Sequence, residues 1–376
     1  MTVVAGIVAA VLLVFTVRRY VFWLASLPPR PPDPMTRTRP IAVLVTARNE
    51  EARLPRLLRA LEALDYPPHL LSFVLVSDGS TDATASLIQE WTELRPRALA
   101  VLSPSHEGKA AGLQRGLQHA GGAELVAVLD ADTIPRPDAL ARLAGGFEDP
   151  SVGGAGGYPD PGCAHRTVVA RYAALERWVF HLVTQAGKDR LRLQPDVIGA
   201  ICCFRAEALA AVGGFPQGEA AEDILISRKL ARAGWRTRWI GEASAREDVP
   251  EDLAQFRLQR LRWSRGLLTS GARAQGLEEL LVAAGYVDRL AFVAGVALAV
   301  AGLLPAWLPA AYAAAPAVVA LTALSRARPG GSLGYIVSIP PMAFADIAVT
   351  LESVAAQLAG SPVRWGHRPR ARQTTP

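Results

Sequence analysis

Lysine is scarce in this chain. Of its 40 basic residues only Lys109, Lys188 and Lys229 are lysines. Arginine is the default cation, so a lone arginine says little about function, whereas a lysine beside a motif says more. Cysteine is equally rare: Cys163, Cys202 and Cys203 form no CxxC pair. That excludes a disulfide framework and a cysteine zinc site, and the three read as reduced thiols in a cytosolic setting. Aromatic residues make up 7% and do not interleave with basic residues. The formal charge of +6 therefore comes without the basic, aromatic-lined groove of a nucleic-acid binder, and no nucleic-acid partner is expected. No internal repeat is present.

What is abundant is apolar surface, 51% of the chain and concentrated at its two ends. Residues 2–17 are apolar and are followed by Arg18-Arg19 and an aromatic-rich stretch, Tyr20–Leu24. A secretory signal carries its charge before the apolar core. Here the charge follows, which favours an uncleaved anchor over residues 1–27, its N-terminus outside and the next domain in the cytoplasm. The run is short against the roughly 20 residues of a spanning helix, and snorkelling arginines would extend it. Residues 28–40, with Pro28-Pro29-Arg30-Pro31-Pro32, predict a stiff linker.

At the other end, 290–324 is almost wholly apolar and contains Pro305, Pro309 and Pro316. It predicts a tight helical hairpin turning near Pro305–Pro309, with Arg326-Ala327-Arg328 back in the cytoplasm. The apolar stretch 333–359 carries Pro340-Pro341, Asp346 and Glu352. The basic tail 361–376 follows, and its arginines place it in the cytoplasm by the positive-inside tendency. One crossing by 333–359 would put that tail outside. Two resolutions stay open: 333–359 is re-entrant or interfacial, or 290–324 crosses only once. The expectation is a multi-pass protein of the cell inner (plasma) membrane, with transmembrane or re-entrant helices over 286–360.

Between the ends lies the expected catalytic domain, 41–248: residues 41–147 alternate short apolar runs with amphipathic stretches, and the second half, roughly 151–245, is more mixed. Strands are expected at Ile41–Ala47, Phe73–Ser77, Ala98–Leu102, Leu125–Leu129 and Arg236–Ile240. Helices are expected at Glu50–Leu64, Asp82–Leu94, Gly108–His119 and Ile224–Arg232. Such alternation implies an α/β domain with a parallel sheet, whose ligands sit at the carboxyl ends of strands. Asn49-Glu50, Asp78 and Asp130-Ala131-Asp132 all fall at such ends. Residues 249–285 then form basic, partly amphipathic helices that suit a membrane interface, with Arg257, Arg260, Arg262, Trp263 and Arg265.

Several clusters carry chemistry. Asp130 and Asp132, two apart at a strand end, would point the same way. Paired carboxylates suit Mg²⁺ or Mn²⁺ completed by diphosphate oxygens, and such a metal would neutralise a departing nucleotide diphosphate. The plainer alternative is a solvated turn with a helix cap. Asp78-Gly79-Ser80-Thr81-Asp82 combines a turn glycine with an acid that can accept from a base or ribose, while Thr81 or Asp82 caps the next helix. Lys109 opens a helix, where it can meet phosphate, or simply be an exposed first-turn lysine. Glu222-Asp223 offers a general base for a hydroxyl, or an ordinary acidic helix start. Gln259, Arg262 and Trp263 supply an amide, a cation for a diphosphate and a ring for a sugar face. The same residues suit a membrane-interface helix.

Taken in order, Thr46-Ala47-Arg48-Asn49-Glu50-Glu51, Val76–Asp82, Gly108-Lys109-Ala110, Asp130-Ala131-Asp132, Glu222-Asp223 and Gln259-Arg260-Leu261-Arg262-Trp263 resemble the membrane-integrated family 2 glycosyltransferases over about residues 40–265. The resemblance implies a GT-A fold between an N-terminal transmembrane anchor and C-terminal transmembrane helices. It also implies a nucleotide-sugar donor, commonly UDP-linked, a divalent metal and inversion at the anomeric carbon. Glu50, Asp78, Lys109 and Asp130 would then serve the donor, and Asp130 and Asp132 the Mg²⁺ or Mn²⁺. Asp223 would be the base, and Glu222, Gln259, Arg262 and Trp263 would meet acceptor and diphosphate. Ser77, Ala221, Gln114 and the Cys202-Cys203 pair depart from the pattern, mainly on the acceptor side. A lipid-type acceptor follows from the few apolar segments available to build a tunnel. A processive polysaccharide synthase and a non-catalytic membrane scaffold are the rival expectations.

Overall fold

A computed structural model of the chain describes residues 2–28, 33–197, 199–216, 222–271, 281 and 288–359. The chain forms two compact units. One comprises 25–162 and 180–248, the other 1–24, 163–179 and 249–376.

The first unit is built on an eight-stranded sheet. Its strands are β1 (Ile41–Ala47), β2 (Leu71–Asp78), β3 (Ala98–Ser103), β4 (Leu125–Asp130), β5 (Ile134–Pro135), β6 (Val152–Asp160), β7 (Ile201–Arg205) and β8 (Arg236–Arg246), in the order β3-β2-β1-β4-β7-β6-β8-β5. The four strands β3, β2, β1 and β4 are parallel, as the alternating pattern requires. Beyond β4 the sheet turns mixed, because β7 pairs antiparallel with both β4 and β6. Each central strand is covered on both faces. Ile41, Val43 and Val45 join one apolar cluster with Leu125, Ala127 and Leu129, while Ala42 and Leu44 join the other with Val126 and Val128. Burying a side chain of this size stabilises by about 1.5–3 kcal/mol. Period 2 also sends neighbouring Cys203 and Cys202 into opposite clusters, where both thiols are buried.

Helices in chain order are α1 (Thr2–Ser26), α2 (Leu54–Glu62), α3 (Thr84–Glu93), α4 (Lys109–Leu117), α5 (Ala139–Gly145), α6 (Val168–Trp178), α7 (Ala186–Arg190), α8 (Ala206–Ala211), α9 (Glu222–Arg232), α10 (Leu253–Gly271), α11 (Asp288–Val300), α12 (Trp307–Ala327), α13 (Ser332–Val337) and α14 (Ile339–Leu358). A π-helical turn, Val179–Gln185, follows α6. Several elements depart from the expected bounds. Helix α2 starts at Leu54, because Arg53 and Leu54 turn their N–H groups back onto the Glu50 carbonyl. Strand β8 runs six residues past Ile240, since its second half pairs with β5 and the end of β6. The linker is anchored where it is described. Asp33 pairs with Arg238, the Thr36 N–H donates to the Ala141 carbonyl, and the Pro34 carbonyl lies so close to Gly145 that a Cβ there would sit 1.5 Å away. Residues 29–32, 272–280, 282–287 and the basic tail 360–376, on which several expectations fall, lie outside the described residues.

The second unit holds the apolar helices. Val8, Leu12 and Phe15 of α1 pack with Leu304, Leu308 and Tyr312. Further along, Arg19 donates to the Tyr312 hydroxyl and Trp23 Nε1 to Thr322. Helices α1 and α12 are therefore parallel. Arg19 also pairs with Asp288 at 2.5 Å, while a Cβ on Gly295 would lie 2.6 Å from Leu12, so α11 runs the opposite way. The expected hairpin is present, with its turn at 301–306, somewhat ahead of Pro309. Helix α14 follows α10 instead: Phe256 clusters with Met342, and Ser264 Oγ lies 2.6 Å from Ser353 Oγ. Among the described residues three helical stretches are long and apolar enough to cross a membrane: Val3–Ser26, Trp307–Ala327 and Ser332–Ala356.

Candidate active site

Register places the carboxyl ends of β1, β2 and β4 side by side, with Thr46 opposite both Val76 and Asp130. The first two loops lock together there. Asn49, at φ 55°, turns the chain after β1 and accepts from the Thr81 N–H at 2.8 Å. The Glu50 N–H donates to Thr84 Oγ1, and the Glu50 carboxylate takes Arg53 at 3.2 Å. Asp82 accepts from the Thr84 N–H and hydroxyl just ahead of α3, while the N-cap position itself falls to Ala83 and not to the expected Thr81 or Asp82. Gly79 has φ 61°, and a Cβ there would lie 2.4 Å from the His106 nitrogen, so only glycine fits.

Asp78 is 2% exposed, and its carboxylate already receives the Glu107 and Gly108 N–H groups and the His106 ring. It organises the 104–108 loop rather than presenting a bare oxygen. Sequence reasoning missed His106, which carries no signal beyond its place before Glu107-Gly108-Lys109.

Asp130 ends β4, and a tight turn follows in which the Thr133 N–H donates to the Asp130 carbonyl. Asp132 therefore sits in a turn. The expectation that both acids share one strand face is corrected: the chain leaves the sheet after Asp130. The turn nevertheless brings Asp132 close. Burial raises the Asp130 carboxyl above its ordinary range, Lys109 opposes that, and the Asp132 charge adds to it.

Gly108, at φ 98°, delivers Lys109 into the site as the first residue of α4. Its Nζ lies 2.5 Å from Asp130 Oδ1 and 3.4 Å from Glu222 Oε1. Burial disfavours its charge, but Asp130 and then Glu222 outweigh burial and raise its pKa. Glu222 and Asp223 open α9, where the helix dipole favours anions. Asp223 Oδ1 accepts from the Ile224 N–H at 2.8 Å and Oδ2 from the Gly199 N–H at 3.4 Å. Burial first, and the Glu222 charge second, still push its carboxyl up to about 6. That range suits a group taking a proton near neutral pH. Lys109, Glu222 and Asp223 also line a small cleft whose other wall is apolar, with Leu113, Phe204 and Phe215.

Asp130 and Asp132 supply hard carboxylate oxygens, the donor type Mg²⁺ and Mn²⁺ prefer. Among the described residues no three His, Cys, Asp or Glu groups gather with metal-ligand spacing. The protein thus fits a cation that arrives with further oxygens from a diphosphate, rather than one caged by side chains alone.

The remaining sequence candidates stand in the second unit, on α10. Gln259 is nearly buried and Arg262 half-buried. The Trp263 ring lies 5.2 Å from the Arg260 guanidinium and 5.7 Å from that of Arg177. Arg260 in turn pairs with Glu176 of α6 and with Asp346 of α14, which is 1% exposed and also bound by Arg289. Asp346 was legible as a charge in an apolar run; its partners were not.

The sequence profile described as Glycosyltransferase like family 2 matches residues 38–266. A probable glycosyltransferase of Bacillus subtilis, YdaM, is 27% identical over 230 residues, 60% of this chain and 54% of its own. A poly-beta-1,6-N-acetyl-D-glucosamine synthase of Staphylococcus aureus is 29% identical over 231 residues, again 60% and 54%. An N-acetylglucosaminyltransferase of Bradyrhizobium diazoefficiens is 26% identical over 328 residues, 80% and 66%. The chain spans about half the length of the first two. Among solved structures, the mannosyltransferase PcManGT of Pyrobaculum calidifontis, in complex with GDP-Man and Mn²⁺, superposes with a TM-score of 0.64. It is 23% identical and covers 94% of this chain and 100% of its own, a likeness of fold. The matched profile takes in every motif from Asn49 to Trp263, and the chain belongs to the family 2 glycosyltransferases, with a GT-A catalytic domain flanked by apolar helices.

Proposed function

We propose that this glycosyltransferase acts at the cytoplasmic face of the inner membrane and moves one sugar, with inversion, from a nucleotide diphosphate onto a lipid-type alcohol. One observation carries the reading: Lys109 joins Asp130, at the donor edge, to Glu222 beside Asp223. Asp223, free of a proton at neutral pH, takes the acceptor hydroxyl's proton as its oxygen attacks the anomeric carbon. Glu50 and Asp78 hold the loops that receive the nucleotide. Asp130 and Asp132 would hold Mg²⁺ or Mn²⁺, which supplies charge neutralisation for the departing diphosphate. Lys109 faces the same diphosphate, and Gln259, Arg262 and Trp263 serve acceptor and diphosphate. Positioning and charge placement supply most of the rate.

A UDP-sugar is the donor class we favour, in line with the N-acetylglucosaminyl names of relatives; the GDP-mannose of the PcManGT complex makes a guanosine donor the control. For topology, α1 crosses outward-to-inward and α12 parallel to it. This puts Arg326 and Arg328 at the same end as Arg18 and Arg19, the cytoplasmic one. Helix α14 then lies along α10 at the inner leaflet, which leaves the tail in the cytoplasm.

The named polysaccharide synthase among the relatives supports a second reading, a processive enzyme. Membranes incubated with radiolabelled nucleotide sugars and then lipid-extracted separate them. A single labelled lipid supports the proposal, a ladder of products supports the synthase, and no transfer from any donor supports the non-catalytic scaffold.

A further inference from the structure

Gly199 lies beside Asp223 and Lys109, and no motif singles it out. The Ala200 carbonyl beside it accepts from the Asp130 N–H at 3.2 Å, which ties this turn to the end of β4. The Gly199 N–H faces Asp223 Oδ2. Its φ lies outside the left-handed region that calls for glycine elsewhere in the chain. Alanine would therefore be tolerated by the backbone, and the absent side chain needs another reason. A Cβ built there would lie 2.8 Å from Lys109 Nζ and 3.8 Å from Asp223 Cβ. The empty volume is the seat of the ammonium.

We infer that Gly199 is a positioning residue: its missing side chain is the space in which Lys109 bridges Asp130 and Glu222, while its N–H orients Asp223. The inference rests on the glycosyl-transfer reading for its consequence and on geometry alone for the contact. Three carboxylates, Asp130, Glu222 and Asp223, crowd this site, and Lys109 is the ammonium the structure sets among them. A methyl group at position 199 would displace the tip of a flexible chain, so the fold survives while the charge moves. Misplacement of a reacting constellation by about 1 Å costs on the order of 100-fold in rate.

The test is a double-mutant cycle of wild type, Gly199→Ala, Lys109→Ala and the double variant. Hydrolysis of UDP-N-acetylglucosamine and GDP-mannose by water needs no acceptor and gives the rate, and thermal melting of the same four proteins gives a donor-free readout. Gly199→Ala is expected to lower hydrolysis by about 10–100-fold in wild type. In the Lys109→Ala background it should cost no more than about twofold, because the atom it displaces is gone. Any loss of melting temperature from Gly199→Ala should shrink in that background too, and a double variant that folds where Gly199→Ala does not is the same result. Equal losses in both backgrounds, or no effect on rate or melting in wild type, would overturn the inference. Wild type that hydrolyses neither donor counts against the glycosyl-transfer reading, and the melting cycle then decides the Gly199–Lys109 contact by itself.

Discussion

Lys109 Nζ lies 2.5 Å from Asp130 Oδ1, so a residue opening α4 neutralises the acid ending β4. The same ammonium reaches Glu222 at 3.4 Å. It does not bring Asp223 back to the ordinary carboxylate range, because burial and the Glu222 charge outweigh it and hold that group at about 6. A raised acid pKa means that the proton persists to higher pH. A base is inactive while it carries that proton. Turnover should therefore rise with pH through about 6 and fall about tenfold per unit below it. Glu222→Gln removes the repelling charge and should move this limb to lower pH. A pH–rate profile flat between about 5 and 8 would contradict the assignment.

The paired acids predict a metal requirement. Chelation with EDTA should abolish transfer, and Mg²⁺ or Mn²⁺ should restore it. Asp132→Ala should weaken binding of the nucleotide sugar as well as turnover, since the diphosphate loses part of its charge compensation. Donor titration by calorimetry separates the two effects. Full turnover in EDTA would remove the metal from the account.

Much of the catalytic fold was legible. β1 falls where the apolar run predicted it, and the carboxyl ends of β2, β3 and β4 agree within about a residue; β1 and β4, buried on both faces, read as continuous Val/Leu/Ala runs. The mixed half of the sheet was not legible, since its pairing of β7 with β4 and β6 is set by tertiary contact and leaves no periodic trace. Motifs located Asp130, Asp223 and Lys109, but not their mutual arrangement. Gly199 and His106 gave no signal, because each matters through a neighbour distant in sequence: Lys109 for one, Asp78 for the other. Within 333–359 the partners were hidden too: Asp346 reads as a charge in an apolar run until Arg260 and Arg289 are seen around it.

The helix arrangement predicts a topology. Reporter fusions after residues 35, 270 and 328 should read as cytoplasmic, and one in the 301–306 turn as external. Parallel packing of α1 and α12, with Trp23 bonded to Thr322, motivates it. External activity at both 35 and 270 would invert the arrangement, and external activity at 328 alone would make α14 a crossing.

Trp263→Ala should slow transfer to the acceptor while leaving donor hydrolysis and melting close to wild type. The ring is half-buried beside Arg177 and the buried Arg260, contacts worth about 0.5–1 kcal/mol where exposed and about 2 kcal/mol where desolvated, so any loss of stability should stay modest. A large fall in melting temperature with unchanged transfer would make the indole a packing group of the interface helix.

Asp223→Asn tests the central claim most directly. The amide keeps the shape of the side chain and cannot take the acceptor's proton. Transfer by the folded variant should drop by about 10²–10⁴-fold, the usual contribution of general-base catalysis. Donor affinity should stay close to wild type, because the proposed mechanism assigns the diphosphate to Asp130, Asp132 and Lys109. Near-wild-type transfer by a folded Asp223→Asn variant would contradict the account and move the base to Glu222.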